Sequence, residues 1–305
     1  MPTYILKRVS LALLVALTVS VTTFVLLNIS GDLALILAGE GASAEEVTQL
    51  RRQLGLDRSL LVRYLAWLGG LFQGDLGTSF FTRENVMDMI MRRLPVTLSL
   101  GLSGMVIALG LSLPLGVFAA VRPNSWIDRV CLSIAVFGQA IPNFFLALLL
   151  IIFFGVKLRW APISGSDTWI HFIMPAAALA SMSVPPLMRL TRNGMLEALE
   201  SDYIRTARAK GLSELSVLFK HALRNAVIPV VSLSAVQLGF MLSGSIIIEA
   251  IFALDGIGLL AWESITRNDF PVVQCIVLMV SIFYIFLTLI ADLLNAFLDP
   301  RIRGN

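Results

Sequence analysis

The chain has 305 residues, of which 57% are hydrophobic and only 14% charged, with a net charge of +3. Soluble chains carry about 25% charged residues, so a water-facing surface around 305 residues is excluded. The small positive excess does not point to nucleic acid. Cys131 and Cys275 both lie in apolar runs and read as small buried residues rather than a disulfide. The two histidines, His171 and His221, stand in no metal-ligand spacing, so no metal site is expected.

A membrane-spanning helix needs about 20 mostly apolar residues. Six windows free of charge meet or approach that length: 9–30, 94–121, 130–156, 172–188, 225–248 and 270–291. The chain is expected to be an all-α polytopic membrane protein with about six transmembrane helices. Segment 1–30 is the first helix, preceded by Lys7 and Arg8. Its apolar stretch is longer than a signal-peptide core and no A-x-A-like site follows it directly, so it reads as uncleaved. Segment 31–93 follows as an extracytoplasmic helical loop. Segment 94–305 is the core domain, with helices near 94–121, 130–156, 172–190, 225–253 and 270–298. The fourth contains or adjoins Pro175, Pro185 and Pro186.

Within 31–93, Ser43-Ala44-Glu45-Glu46 forms a capping box. Val47, Leu50 and Leu54 follow on one helical face, Gly55 ends the helix, and 59–72 is a second amphipathic stretch. The short loops assign the sides. The N-terminus, the second loop, the fourth loop and the C-terminus carry 13 Lys and Arg, against 3 in the two short loops opposite. Both termini are therefore expected in the cytoplasm.

The cytoplasmic segment 189–225 carries the most information. Residues 196–210 read as one helix, stopped by Gly211. Arg205, Arg208 and Lys210 suit the negative end of its dipole. Ser213 caps a second helix whose apolar face is Leu215, Leu218, Phe219 and Ala222, and Pro229 leads into the fifth span. Such a helix–glycine–helix elbow fits a solvated basic loop and equally a helix that docks into a groove on a partner. The amphipathic pattern alone does not separate the two.

A run of motifs does. Asp202-Tyr203-Ile204-Arg205-Thr206-Ala207-Arg208-Ala209-Lys210-Gly211-Leu212-Ser213-Glu214, continued by His221-Ala222-Leu223-Arg224-Asn225-Ala226 and Ile228-Pro229, closely resembles the coupling segment of ABC importer permeases. The match is to the oligopeptide and dipeptide branch, which also includes glutathione and nickel systems: the binding-protein-dependent inner-membrane components. Leu54-Gly55-Leu56-Asp57, Gly74-Asp75-Leu76-Gly77-Thr78-Ser79, Arg93-Leu94-Pro95, Gly244-Ser245 with Glu249, Gly256-Ile257-Gly258 and Asp299-Pro300-Arg301-Ile302-Arg303 resemble the family in order along the chain. Three places depart from it. Arg205-Thr206-Ala207 stands where general importers have Glu-Ala-Ala, as is usual in the peptide branch. Asp255 replaces a proline, and Gln139-Ala140-Ile141-Pro142-Asn143 replaces a Ser-Leu-Pro-Ser pattern.

The resemblance implies a type I ABC importer transmembrane architecture in the bacterial cytoplasmic membrane. It implies a homologous second permease, two ATP-binding subunits, an extracytoplasmic solute-binding protein and surrounding lipid as partners. Asp202, Tyr203, Arg205, Thr206, Ala207, Arg208, Ala209, Lys210 and Gly211 would couple to the ATPases, with Ala207 and Gly211 at the contact. Gln139, Asn143, Gln237 and Glu249 are candidates for the translocation path, although hydrogen bonding between helices, or from loop amides to Glu249, also accounts for them. Asp292 is expected to hold a helix end or pair with a cytoplasmic arginine.

The energy source is expected on other chains. There is no G-x-x-x-x-G-K-[ST] phosphate loop, so no cofactor is expected here, and ATP and Mg would sit on the partner ATPases. The six windows have uncharged centres, which disfavours the alternative of a self-powered secondary transporter or channel. No nucleophile–base or metal constellation suggests an intramembrane enzyme.

Overall fold

The computed structural model describes residues 2–29, 32–39 and 41–298. Among the described residues its α-helices are α1 (Pro2–Ile29), α2 (Leu33–Ala38), α3 (Ala44–Gln53), α4 (Leu60–Phe72), α5 (Val86–Val121), α6 (Trp126–Ala140), α7 (Asn143–Leu150), α8 (Ile173–Ala180), α9 (Val184–Glu200), α10 (Asp202–Ala209), α11 (Glu214–Ser216), α12 (Leu223–Ala226), α13 (Ile228–Phe252), α14 (Ile257–Thr266) and α15 (Phe270–Leu298). A π-helical stretch, Ile151–Lys157, prolongs α7, and another, Val217–Ala222, joins α11 to α12.

Among the described residues, four helices, α1, α5, α13 and α15, are long and apolar enough to cross a membrane. Two more spans are broken. Trp126–Ala140 and Asn143–Lys157 meet at a bend of 95°, and Trp169–Ala180 and Val184–Glu200 at 66°. The helices expected at 130–156 and 172–190 correspond to these two bent pairs. Pro142 accounts for the first break, since the residue before a proline is pushed out of the α region and Ile141 is extended (ψ 126°). At the second, Ser181 and Ser183 fall in a turn, and Pro185 enters at the start of α9, where its missing N–H is harmless.

Helix α5 is the axis of the bundle, packed on α9, α8, α6 and α13, while α15 lies against α13 and α1. Small residues let α5 and α9 approach closely, as expected where lipid supplies no hydrophobic drive for association. A Cβ at Gly116 would stand 2.6 Å from Thr191 Cβ and 2.9 Å from the Met188 carbonyl oxygen. Gly116→Ala is therefore expected to destabilise the protein by roughly 1–3 kcal/mol, read as a lower unfolding temperature in detergent.

One end of the bundle, the cap end, carries α2–α4 and α14. The capping box forms: the Ser43 hydroxyl accepts the Glu46 N–H, and the Ser43 N–H donates to Glu46 Oε2 (2.8 Å). Those bonds hold the exposed Glu46 carboxyl below its ordinary pKa. Gly55 follows α3 at φ 65°. Tyr64 and Trp67 of α4 pack around Phe24 of α1, and Tyr64 Oη and Ser20 Oγ are 2.8 Å apart. The Gly74–Ser79 motif is pinned to the α14–α15 turn, where the buried Asp269 accepts from the Ser79 hydroxyl and from the Phe80 N–H (3.0 Å). Arg93 joins α5 to the same region through Asp255 (3.0 Å) and Glu263 (3.3 Å). The Asp255 departure thus has a partner.

At the other end, Arg8 pairs with Asp292 at 2.7 Å, the arginine partner expected for that carboxylate. Cys131 and Cys275 are buried free thiols. The closing Asp299-Pro300-Arg301-Ile302-Arg303 motif lies outside the described residues.

Candidate functional sites: an exposed elbow and a carboxamide cleft

The elbow stands at the end opposite the cap. The single helix expected over 196–210 is two helices, because Ser201 is extended (φ −73°, ψ 153°) between α9 and α10. The Ser201 hydroxyl donates to the Ala198 carbonyl instead of capping α10. Gly211 ends the segment at φ 75°, with its N–H donating to the Arg208 carbonyl oxygen (2.9 Å), and Ser213 caps the next helix by accepting the Ser216 N–H.

Burial sorts the nine candidate coupling residues. Asp202, Tyr203, Arg205, Thr206, Arg208, Ala209, Lys210 and Gly211 are exposed, whereas Ala207 is buried. Ala207 and Ile204, one turn apart, face inward onto Val117, Met195, Val217, Ala222 and Ala226. The expectation that Ala207 lies at a docking contact is therefore corrected. Its small side chain permits close packing of the elbow on its own bundle.

The expected apolar face of the second helix is corrected as well. Ala222 is buried, but Leu215 (71% exposed) and Phe219 point outward, and Val217 is fully buried in their stead. The π-helical turns at Val217–Ala222 rotate the register away from the 3.6-residue period. Tyr203, Leu212, Leu215 and Phe219 thus remain as exposed apolar groups among the basic side chains. Arg205 pairs with Asp202 (3.3 Å) and Arg208 with Glu214 (3.0 Å), both on the surface.

A link that the sequence reading missed ties the elbow to the bundle. Arg192 of α9 makes a bidentate pair with Asp128 of α6, Nε to Oδ1 at 2.8 Å and Nη2 to Oδ2 at 2.6 Å. Asp128 is buried and also accepts the Asn124 N–H (2.9 Å). The sequence signal was available: Ser125 and Asp128 stand at the spacing of a helix N-cap and its first turn.

The second site is a cleft of about 370 Å³. Gln139, Asn143 and Gln237 all line it, with Ser183 and Gly244 beside them and Met182, Phe240 and Met241 as apolar walls. Three of the four path candidates thus come together from positions nearly 100 residues apart. Gln139 and Asn143 flank the first helix break, Met182 and Ser183 lie at the second, and Gln237 to Gly244 are the middle turns of α13. The two breaks touch: a Cβ at Gly138 would sit 3.7 Å from the Ser181 carbonyl oxygen. Irregular backbone at membrane depth is tolerated where it is covered by protein or lines a cavity.

Glu249, the fourth path candidate, is elsewhere. It is fully buried. The Thr97 hydroxyl donates to its Oε1 (2.8 Å) and the Leu259 N–H to its Oε2 (3.0 Å), while Thr97 Oγ1 accepts the Ile257 N–H (2.8 Å). A carboxyl so enclosed fastens the start of α14 to α5 and α13. This corrects its assignment to the path and agrees with the loop-amide bonding weighed from the sequence.

Comparison with known proteins decides the family. The profile described as "Binding-protein-dependent transport system inner membrane component" matches residues 112–304, and its N-terminal companion matches residues 1–101. The chain belongs to that family. The permease is thus a multi-pass inner-membrane component of a binding-protein-dependent transport system. It is 42% identical, over 99% of both chains, to a putative peptide transport system permease protein of Brucella abortus. It is 40% identical, over 98% of both, to a glutathione transport system permease protein of Salmonella choleraesuis. Among solved structures, the permease resembles a chain of the inward-facing MetNI methionine ABC transporter at TM-score 0.56 and 20% identity, covering 70% of this chain and 97% of that one. It also resembles a chain of an amino acid ABC transporter at TM-score 0.50 and 20% identity, covering 69% and 93%. These likenesses give the fold: that of ABC transporter membrane subunits.

Proposed function

We propose that the permease is the membrane-spanning subunit of an ATP-driven importer that moves peptides or peptide-like small solutes, such as glutathione, into the cell. The likeness to a peptide permease over 99% of both chains carries this reading. The elbow end and both termini face the cytoplasm, in keeping with the distribution of Lys and Arg. ATP and Mg are held by two separate ATPase subunits. Their docking surface comprises the exposed residues of Asp202–Gly211 together with Leu212 and Leu215. A homologous second permease completes the conduit along the cleft face, and an extracytoplasmic solute-binding protein meets the cap end. Nucleotide then biases a two-state equilibrium between inward- and outward-facing forms through the elbow.

Co-purification in mild detergent, followed by uptake into proteoliposomes, tests the assembly. A second six-span permease and phosphate-loop ATPases are expected to accompany the tagged chain, and uptake should require ATP. Purification alone with ATP-independent transport would overturn the reading.

Two substitutions test the docking. Leu215→Asp alters a side chain that is already exposed, so it is expected to leave the fold intact and lower ATPase retention and uptake by about tenfold, the size of a modest interface hot spot. Gly211→Pro cannot adopt a φ of 75° and is expected to abolish uptake. Normal uptake in both variants would place the ATPases elsewhere.

A further inference from the structure

The cleft carries its chemistry without charge. Gln139, Asn143 and Gln237 contribute three carboxamides, Ser183 contributes a hydroxyl, and among the described residues no charged side chain lines the cavity. None of the three carboxamides makes a side-chain hydrogen bond within the described residues. Each therefore presents donor and acceptor positions without a partner. Such groups are costly against hydrocarbon, and they sit around the middle turns of α13 and at two helix breaks that touch each other. The volume of about 370 Å³ falls within the range of small-ligand sites, roughly 300–1,000 Å³.

A carboxamide matches one chemical group closely, namely another amide. Its oxygen accepts an N–H and its nitrogen donates to a C=O, so a peptide bond satisfies both halves. An ionised side chain gains no Coulombic partner there and is not repelled by one. We infer that this cleft is a waypoint that recognises the main-chain amides of an extended peptide and is indifferent to the charge of its side chains. The inference rests on the peptide-importer reading and specifies how a single conduit passes peptides of differing sequence. Met182 and Phe240, exposed beside the amides, supply apolar contact of low specificity for side chains.

The test uses the complete transporter in proteoliposomes, with binding protein saturated by peptide. Uptake is compared for a tripeptide and for its analogue with the central amide N-methylated, which removes one donor. The quantity read is the ratio of the two rates, in wild type and in Gln237→Leu and Gln139→Leu. Preference exerted by the binding protein is the same in every case and cancels, and the ratio does not depend on how much transporter folds.

Loss of one hydrogen bond corresponds to a change of roughly fivefold. Wild type is expected to favour the unmodified tripeptide by at least that factor more than either variant does. In Gln237→Glu, uptake is expected to become dependent on peptide charge, with acidic tripeptides falling several-fold below basic ones, where wild type treats them alike. An unchanged N-methyl ratio in both leucine variants, or charge selectivity already present in wild type, would overturn the waypoint while leaving the peptide importer standing. ATP-driven uptake of another solute but of no peptide would overturn both.

Discussion

Replacing Arg192 with methionine is expected to destabilise the permease by about 3 kcal/mol or more, the cost of stranding a buried charge. Its partner Asp128 has a side chain only 4% exposed, against 18% for Arg192. Without the guanidinium, the carboxylate keeps the Asn124 N–H and loses two short bonds. The loss should exceed that from any surface pair such as Arg92–Glu84, whose members are 62% and 50% exposed and contribute about 0–1 kcal/mol. The double replacement Asp128→Leu with Arg192→Met removes both charges and is expected to recover most of the stability, because a buried pair exchanged for apolar groups is often neutral. Unfolding temperatures of the four proteins in detergent give the cycle. Additive losses would show that the two side chains are not coupled. Because α9 leads directly into α10, loosening this pair should also lower uptake more steeply than the fraction of folded protein falls.

Glu249→Ala is the other large effect. The change leaves the part-buried Leu259 N–H without its acceptor, which costs about 1–3 kcal/mol. It also opens a cavity against Thr97, Gly256 and Gly258, so a total of roughly 3 kcal/mol or more is expected. Glu249→Gln retains the volume. Its oxygen can accept the Leu259 N–H and its amide can donate to Thr97 Oγ1, so its loss should be about 1 kcal/mol, with uptake preserved in proportion to folded protein. Abolished uptake at unchanged unfolding temperature would instead place Glu249 in the translocation path. Gly258→Ala should resemble Glu249→Ala, since its Cβ would stand 2.7 Å from Ile246 Cα and 2.9 Å from Glu249 Cδ.

Much of the chain was legible because its signals are local. Charge-free runs of about 20 residues mark spans whatever they pack against. The Ser43–Glu46 box and the glycine stop at Gly211 depend on neighbours three or four residues away, and both form. The order of motifs pointed to the family that the two profiles match across 1–101 and 112–304.

What misled the reading was geometry that hydropathy does not carry. Charge-free composition is the same for a straight helix and for one bent by 95°, so the breaks at Pro142 and at Ser181–Ser183 were read through as continuous spans. A 3.6-residue period assumes an α-helix, and the π-helical turns at Val217–Ala222 exchange Val217 for Leu215 and Phe219 in the packed face. Ala207 looked available for a partner because alanine fits a contact and a core equally well. Ile204 beside it, fully buried, shows which one this helix uses.

The sequence by itself determined that this is a membrane-spanning helical subunit of a known transport family, without a phosphate loop of its own. Those properties follow from composition, run length and contiguous motifs. Only the tertiary structure decided which polar residues share a site. It drew Gln139, Asn143 and Gln237 into one cleft, enclosed Glu249 under α14 and paired Asp128 with Arg192. The physical reason is that a polar side chain within a span must find either a partner or a cavity, and which of these it meets depends on helices that lie far away in sequence.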